Sequence, residues 1–432
     1  MIQFECRAHR KALKAESDDA QKIFVMLKLL PTRDMTYARA PLAIVLLVDT
    51  SGSMQGDDTR LERAIEACHG LLNDNRLRPD DLISVIQFND TASILLPLLE
   101  LDDRKKANAA VDSLRNYSGG TVMGLGMDQA LAEIRKAPLP APKRVLLFTD
   151  GETTDEERCR LLAAQFGPIN APLVAVGIGD EINEVLLREA AATSMGRPYH
   201  LHAEITFGHI LEEELGSLVR EVVTDVRMNI GMTKGVTLDS AMRVFPSISE
   251  VSTEEKPFRM GNVSAGNETV FILEFTVSGL RRPPSRARLV QIQLTAEVPG
   301  MNRREELPPQ DLFMDFTTDT AAISQVDAEV MDYVKQRNVD RLMQQATQQA
   351  ASDPAAAGRT LQLAKNMTLQ LKNANVTRML DGALDELNKT GTISMQTRKT
   401  ISLGGRTKTI KTGSMGLENI PSLEEIRKAT GV

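Results

Sequence analysis

Between positions 41 and 220, short continuous apolar runs alternate with stretches whose apolar residues recur every three or four places. The runs at 43–48, 82–88, 93–97, 144–149 and 173–178 read as strands. The stretches at 60–73, 104–115, 123–135, 156–166, 184–192 and 206–219 read as helices. Apolar strands with no polar face, separated by helices, predict a mainly parallel sheet covered on both sides. In such sheets ligands bind where the strands end.

Beyond position 221 the rhythm changes. Alternating, β-rich stretches at 223–228, 236–244, 269–277 and 287–297 are broken by Pro, Gly and Asn, which predicts an antiparallel sandwich. The first forty residues hold strand candidates at 2–7 and 23–30 but no core of their own. Pairing them with the later sandwich makes the α/β segment an insertion. Helical spacing returns from 320 to 387, interrupted at Asp353-Pro354, and reads as a hairpin or small bundle. The expected organisation is residues 1–40 as strands joining the sandwich, 41–220 as a doubly wound α/β domain, and 221–317 as the sandwich. Residues 318–387 follow as helices and 388–432 as a flexible, basic, Ser/Thr-rich tail.

Composition narrows the function. The 432 residues carry a net charge of −7, which argues against general nucleic-acid binding. Aromatics make up 4% and Trp is absent, so stacking surfaces are poorly supplied. Cys6, Cys68 and Cys159 have neither zinc nor disulfide spacing. With no apolar run approaching the ~20 residues of a membrane span, and no signal-peptide pattern, the expectation is a soluble cytoplasmic protein.

The chemistry concentrates in Asp49-Thr50-Ser51-Gly52-Ser53, directly after the first apolar strand. Carboxylate and hydroxyl oxygens at i, i+2 and i+4 in one loop suit a hard divalent cation. Thr121, in the loop Ser118-Gly119-Gly120-Thr121, and Asp150, in Phe148-Thr149-Asp150-Gly151, are oxygen donors before a helix and after a strand. This set, in this order, resembles the metal-ion-dependent adhesion site of von Willebrand factor type A domains, and the likeness runs over about residues 41–220. The resemblance implies Asp49, Ser51, Ser53, Thr121 and Asp150 around Mg²⁺, with Mn²⁺ or Ca²⁺ as substitutes. It also implies an open coordination position for a partner's Asp or Glu. Bacterial proteins of similar architecture often act with AAA+ ATPases or with kinase and phosphatase systems, so such partners are implied too. The function expected is a non-enzymatic interaction module.

Two other readings compete. A metal-assisted hydrolase would use the same cation, but the sequence offers no nucleophile or tuned base beside it. A self-assembling scaffold would use an acidic tail residue such as Glu424 or Glu425 of a second copy. His69, His200, His202 and His209 lack metal-ligand spacing, and no phosphate-loop Lys accompanies the Gly pairs. In the tail, Thr397 and Thr400, then Thr407 and Thr409, sit in two near-repeats among Arg and Lys. They are candidate phosphorylation sites, where added charge would change how the tail docks.

Overall fold

The computed structural model describes residues 2–31, 40–55, 60–138, 141–179, 182–201, 207–265, 268–278, 282–299, 303–350, 352–394, 397–398, 400–401, 406 and 409–411. The chain opens with strands β1 (Ile2–Ala8), β2 (Ala12–Lys14) and β3 (Gln21–Pro31). It then enters a six-stranded sheet made of β4 (Ala43–Asp49), β5 (Leu82–Phe88), β6 (Ala92–Glu100), β7 (Lys143–Thr149), β8 (Leu173–Ile178) and β9 (Pro198–Leu201). The order is β6-β5-β4-β7-β8-β9, and every pairing except β5–β6 is parallel. The central strands are buried on both faces, which explains why their sequence is apolar throughout rather than alternating.

Six helices cover this sheet: α1 (Arg60–Leu72), α2 (Arg104–Asp112), α3 (Met123–Ile134), α4 (Glu156–Phe166), α5 (Glu184–Thr193) and α6 (Phe207–Val219). The period-two geometry of β4 divides its side chains between two cores. Ile44, Leu46 and Val48 meet Leu61 and Ile65 of α1, Val111 of α2 and Leu215 of α6. Ala43, Val45 and Leu47 meet Met127 of α3, Ala163 of α4 and Leu187 of α5.

The chain next builds β10 (Glu221–Met232), β11 (Val236–Phe245), β12 (Ser249–Val251) and β13 (Phe258–Ser264). It continues with β14 (Thr269–Val277), β15 (Ser285–Val298), β16 (Arg303–Glu306) and β17 (Gln310–Thr317). One sheet of the sandwich runs β1-β3-β14-β11-β12, and the other runs β13-β10-β15-β17-β2, with β16 on β15. β3 pairs antiparallel with β14 from Gln21↔Val277 to Leu29↔Thr269, and β2 pairs parallel with β17. The N-terminal strands are thus built into both sheets, and the α/β unit is inserted between β3 and β10.

Helices α7 (Thr320–Ser324), α8 (Ala328–Gln349), α9 (Pro354–Gln370) and α10 (Ala374–Thr390) follow. The first half of α8 lies on the outer face of a sandwich sheet, where Val330, Tyr333 and Val334 pack on Met26, Val244 and Ile272. Its second half packs with α9 and α10 through Leu342, Met343, Leu361 and Leu380. At the junction, the fully buried Arg337 donates to Glu274 and Ser240, and Lys22 also reaches Glu274. Despite burial, these two cations hold the Glu274 carboxyl down to about 2.

The boundary placed at 387 moves. α10 runs on to Thr390, and Ile393 and Ile401 are buried in the same core as α9 and α10. The Arg406 carbonyl accepts from Ile248 N at 2.8 Å, Ile410 N donates to Gln336 at 3.0 Å, and Thr409 donates to the Pro246 carbonyl. Composition alone suggested a segment too polar to dock. Three isoleucines spaced along it, and backbone groups that find partners on two other elements, suffice to hold it. Thr407, Glu424 and Glu425 lie outside the described residues.

Candidate metal site

Three loops meet at the carboxyl ends of β4 and β7. The first carries Asp49, Ser51 and Ser53. Both oxygens of the buried Asp49 carboxylate are held: Oδ1 accepts from Ser51 N at 2.9 Å, and Oδ2 accepts from Thr149 Oγ1 at 2.6 Å. Burial pushes the Asp49 carboxyl up to about 6, even though Ser51 and Thr149 pull it down. Repulsion from Asp150 adds to the rise. Buried acidic groups in that state favour an added cation.

Ser51 and Ser53 hydroxyl oxygens are 3.1 Å apart. Adjacent corners of an octahedron with ~2.1 Å metal–oxygen bonds are about 3.0 Å apart. Asp150 is buried; its Oδ1 accepts from Glu152 N at 3.1 Å, whereas Oδ2 has no hydrogen-bond donor. A buried carboxylate oxygen in that condition is costly unless a cation stands near it. Arg60, at the start of α1, supplies one at 3.5 Å from Oδ2, and it also donates weakly to the Ser53 carbonyl at 3.4 Å.

The second loop, 118–121, is laced to the first by Gly52 N donating to Gly119 O at 2.9 Å. A side chain at Gly119 would come 2.4 Å from Asp90 Oδ1 and 3.3 Å from Asn89 Cγ, so glycine lets this loop lie against the turn after β5. The third loop is laced to the second, because Thr154 N donates to Thr121 O at 3.2 Å. Gly151 turns that third loop with φ +82°. Thr153 and Asp155 brace the start of α3, accepting from Met123 N at 3.0 Å and Gly124 N at 3.1 Å. The five expected residues therefore lie on loops tied to one another by backbone bonds.

Sequence reading missed Thr149, Arg60 and the Thr153–Asp155 brace. Their partners are distant along the chain, and no local spacing signals them. The histidines do not gather. His69 contacts Asn108 and Asp112, while His200 bonds Gly179 O at 2.7 Å; His202 and the side chain of His209 lie outside the described residues. Among the described residues, no group of three His, Cys, Asp or Glu forms a metal cluster, so a cation here depends on hydroxyl ligands.

Residues 43–212 match the von Willebrand factor type A domain family. The chain contains a von Willebrand factor type A domain. Residues 328–411 match a second family, the Sll0103-like C-terminal alpha-helical domain. That span takes in the docked stretch beyond α10. The chain is 24% identical over 266 residues to the uncharacterised protein sll0103 of Synechocystis, covering 61% of this chain and 60% of that protein. It is 23% identical over 261 residues to the uncharacterised protein YfbK of Escherichia coli, covering 57% and 43%. The match therefore spans about half the length of these relatives. A von Willebrand factor type A structure from Catenulispora acidiphila superposes with a TM-score of 0.79 at 19% identity, covering 95% of this chain and 97% of that one. The shared architecture thus extends past the von Willebrand domain to the sandwich and helices.

Proposed function

We propose that the von Willebrand domain is a metal-dependent docking module for a protein partner. In this reading Ser51, Ser53 and Thr121 offer hydroxyl oxygens to Mg²⁺, and Asp49 and Asp150 supply the negative charge that retains it, with Mn²⁺ or Ca²⁺ able to substitute. When bound, the cation would supply an electrophilic position open to an Asp or Glu carboxylate of the partner. The reading is carried by the Ser51–Ser53 oxygen pair, 3.1 Å apart, together with the buried Asp150 oxygen that lacks a donor. Von Willebrand domains are a family of protein-interaction modules, which favours binding over catalysis. Asp49 is locked by two donors and is poorly placed to shuttle protons.

Calorimetric titration of Mg²⁺ is the test. Saturable binding by the wild type, lost in the Ser51→Ala/Ser53→Ala double variant, is expected. No binding, or equal binding by the variant, would overturn the reading.

The tail supplies regulation in the same proposal. Phosphorylation at Thr397, Thr400, Thr407 or Thr409 adds nearly two negative charges each. Thr409 holds the Pro246 carbonyl, so its modification would release that contact. Incubation with a Ser/Thr kinase followed by phosphopeptide mapping is expected to find these threonines modified. Unmodified Thr400 and Thr409 would remove this part of the proposal.

A further inference from the structure

A cavity of about 230 Å³ lies in the seam between the α/β unit and the sandwich. Four arginines and four glutamates line it, but they do not pair one to one. Arg144, in β7, donates to Glu221 and stands 3.5 Å from Glu214, and Arg197, just before β9, is 3.4 Å from Glu214. Two carboxylates thus answer two guanidiniums. Glu268, at the rim, is engaged by Tyr333 at 2.9 Å and by Lys411 at 3.1 Å, and Glu213 faces the Tyr199 hydroxyl.

Arg243, in β11, is left over. It is 7% exposed, and its side-chain bonds go only to neutral oxygens, the Ser247 carbonyl at 3.2 Å and hydroxyl at 3.0 Å. Among the described residues no carboxylate lies within ion-pair distance of it. A buried guanidinium without a counter-ion is unfavourable by several kcal/mol in general, and Arg144 and Arg197 worsen it. Burial, with these two neighbours, pushes Arg243 down to about 9, although Glu214 and Glu221 act the other way without touching it. Arg220, exposed at the rim, adds a further guanidinium. Two left-handed residues flank the same space, Met195 at φ +65° and Gly261 at φ +83°. Non-glycine residues hold that conformation where the surroundings impose it, often beside a ligand.

We propose that this cavity binds a small oxyanion, a phosphate or carboxylate group, with Arg243 as its buried anchor and Arg220 at its mouth. At ~30 Å³ per water, the volume admits such a group with several waters. The lining comes from β7, the start of β9 and α6 on one side and from β11 and β13 on the other, so occupancy fixes how the two units sit together. β7 also ends at Thr149, next to Asp150, so one strand joins the anion cavity to the three-loop site.

The experiment titrates the full chain with sodium phosphate and, separately, sodium acetate, by calorimetry at constant ionic strength with EDTA present. EDTA keeps the result independent of the metal reading. Saturable one-site binding of at least one probe is expected, and the tighter probe identifies the oxyanion. Arg243→Met should weaken it at least tenfold and Arg220→Gln roughly threefold. In buffer free of both anions, Arg243→Met should melt at or above the wild-type temperature, because it removes an unpaired buried charge. Absence of saturable binding to either probe would overturn the proposal. So would unchanged binding by Arg243→Met, or a clear fall in its melting temperature, which would mark Arg243 as a structural group. Should that variant fail to fold, unchanged binding by Arg220→Gln overturns the assignment of the mouth.

Discussion

Asp49 and Asp150 face the same question, how a buried carboxylate is kept charged, and answer it differently. Asp49 takes two hydrogen bonds, whereas Asp150 leaves one oxygen without a donor, 3.5 Å from the Arg60 guanidinium. If a divalent ion sits beside Asp150, Arg60 repels it. Arg60→Gln should therefore tighten Mg²⁺ binding roughly three- to tenfold, as expected for one like charge at that distance in a partly screened site. Calorimetry checks this, and weaker binding would show that Arg60 orders the site instead. A second residue-scale prediction concerns Gly126 in α3, where a Cβ would stand 2.8 Å from the Phe88 ring. Gly126→Ala should destabilise the protein by about 1–3 kcal/mol, read from urea unfolding. Asp49, Ser51 and Ser53 were legible because their spacing is local. Thr149 lies 100 residues from its partner Asp49, and Arg60 meets Asp150 across a similar gap. No periodicity reports such encounters.

At the scale of elements, α8 does two jobs. Its first half covers a sandwich sheet and its second half nucleates the helical unit, with the buried Arg337–Glu274 pair at the change-over. Glu274→Gln leaves the Arg337 charge buried and largely unanswered. A loss of about 3–5 kcal/mol is expected, measured by chemical denaturation. The stretch beyond α10 shows where composition misleads. Few apolar residues suggested a loose tail, yet Ile401 is 2% exposed against α9 and α10. Ile401→Ala should cost about 2–5 kcal/mol if that docking contributes to the native fold. A change under about 0.5 kcal/mol would show that the contact is incidental. Helix existence was readable from the three- to four-residue rhythm. Docking of a sparse, polar segment was not, because it depends on three isoleucines reaching a core built elsewhere.

In the whole molecule, the N-terminal strands close the sandwich around an inserted domain. His9 sits at this closure. Its Nδ1 accepts from Phe24 N at 3.0 Å, and its carbonyl receives Asp327 N at 2.7 Å, just before α8. Burial pushes the His9 imidazole down to about 3, so it is neutral in the fold but takes a proton in the unfolded chain below about pH 6.5. Between those limits the unfolded state binds the extra proton, so stability falls as pH drops, by about 1.4 kcal/mol per pH unit. His9→Gln keeps an acceptor for Phe24 N and cannot titrate. Its stability should fall less steeply than that of the wild type from pH 6 to pH 4; equal slopes would show that His9 is not the group responsible. No helix among the described residues is long and apolar enough to cross a membrane.

Local chemistry determined much of this protein. Uninterrupted apolar strands between amphipathic helices require a doubly covered sheet, because neither face of such a strand tolerates water. Alternation beyond residue 221 points to a sandwich, although β14, whose outer face α8 covers, is buried almost throughout. The Asp-x-Ser-x-Ser loop follows β4 because a chain leaving a buried strand must turn where its backbone groups can find partners. Tertiary structure alone decided what crosses those boundaries: Thr149 on Asp49, Arg60 beside Asp150, Arg337 on Glu274, and Arg243 bonded in the seam to the neutral oxygens of Ser247. The physical reason is range. Hydrophobic period and turn chemistry act over a few residues, whereas burial of a charge depends on which distant segments fold over it.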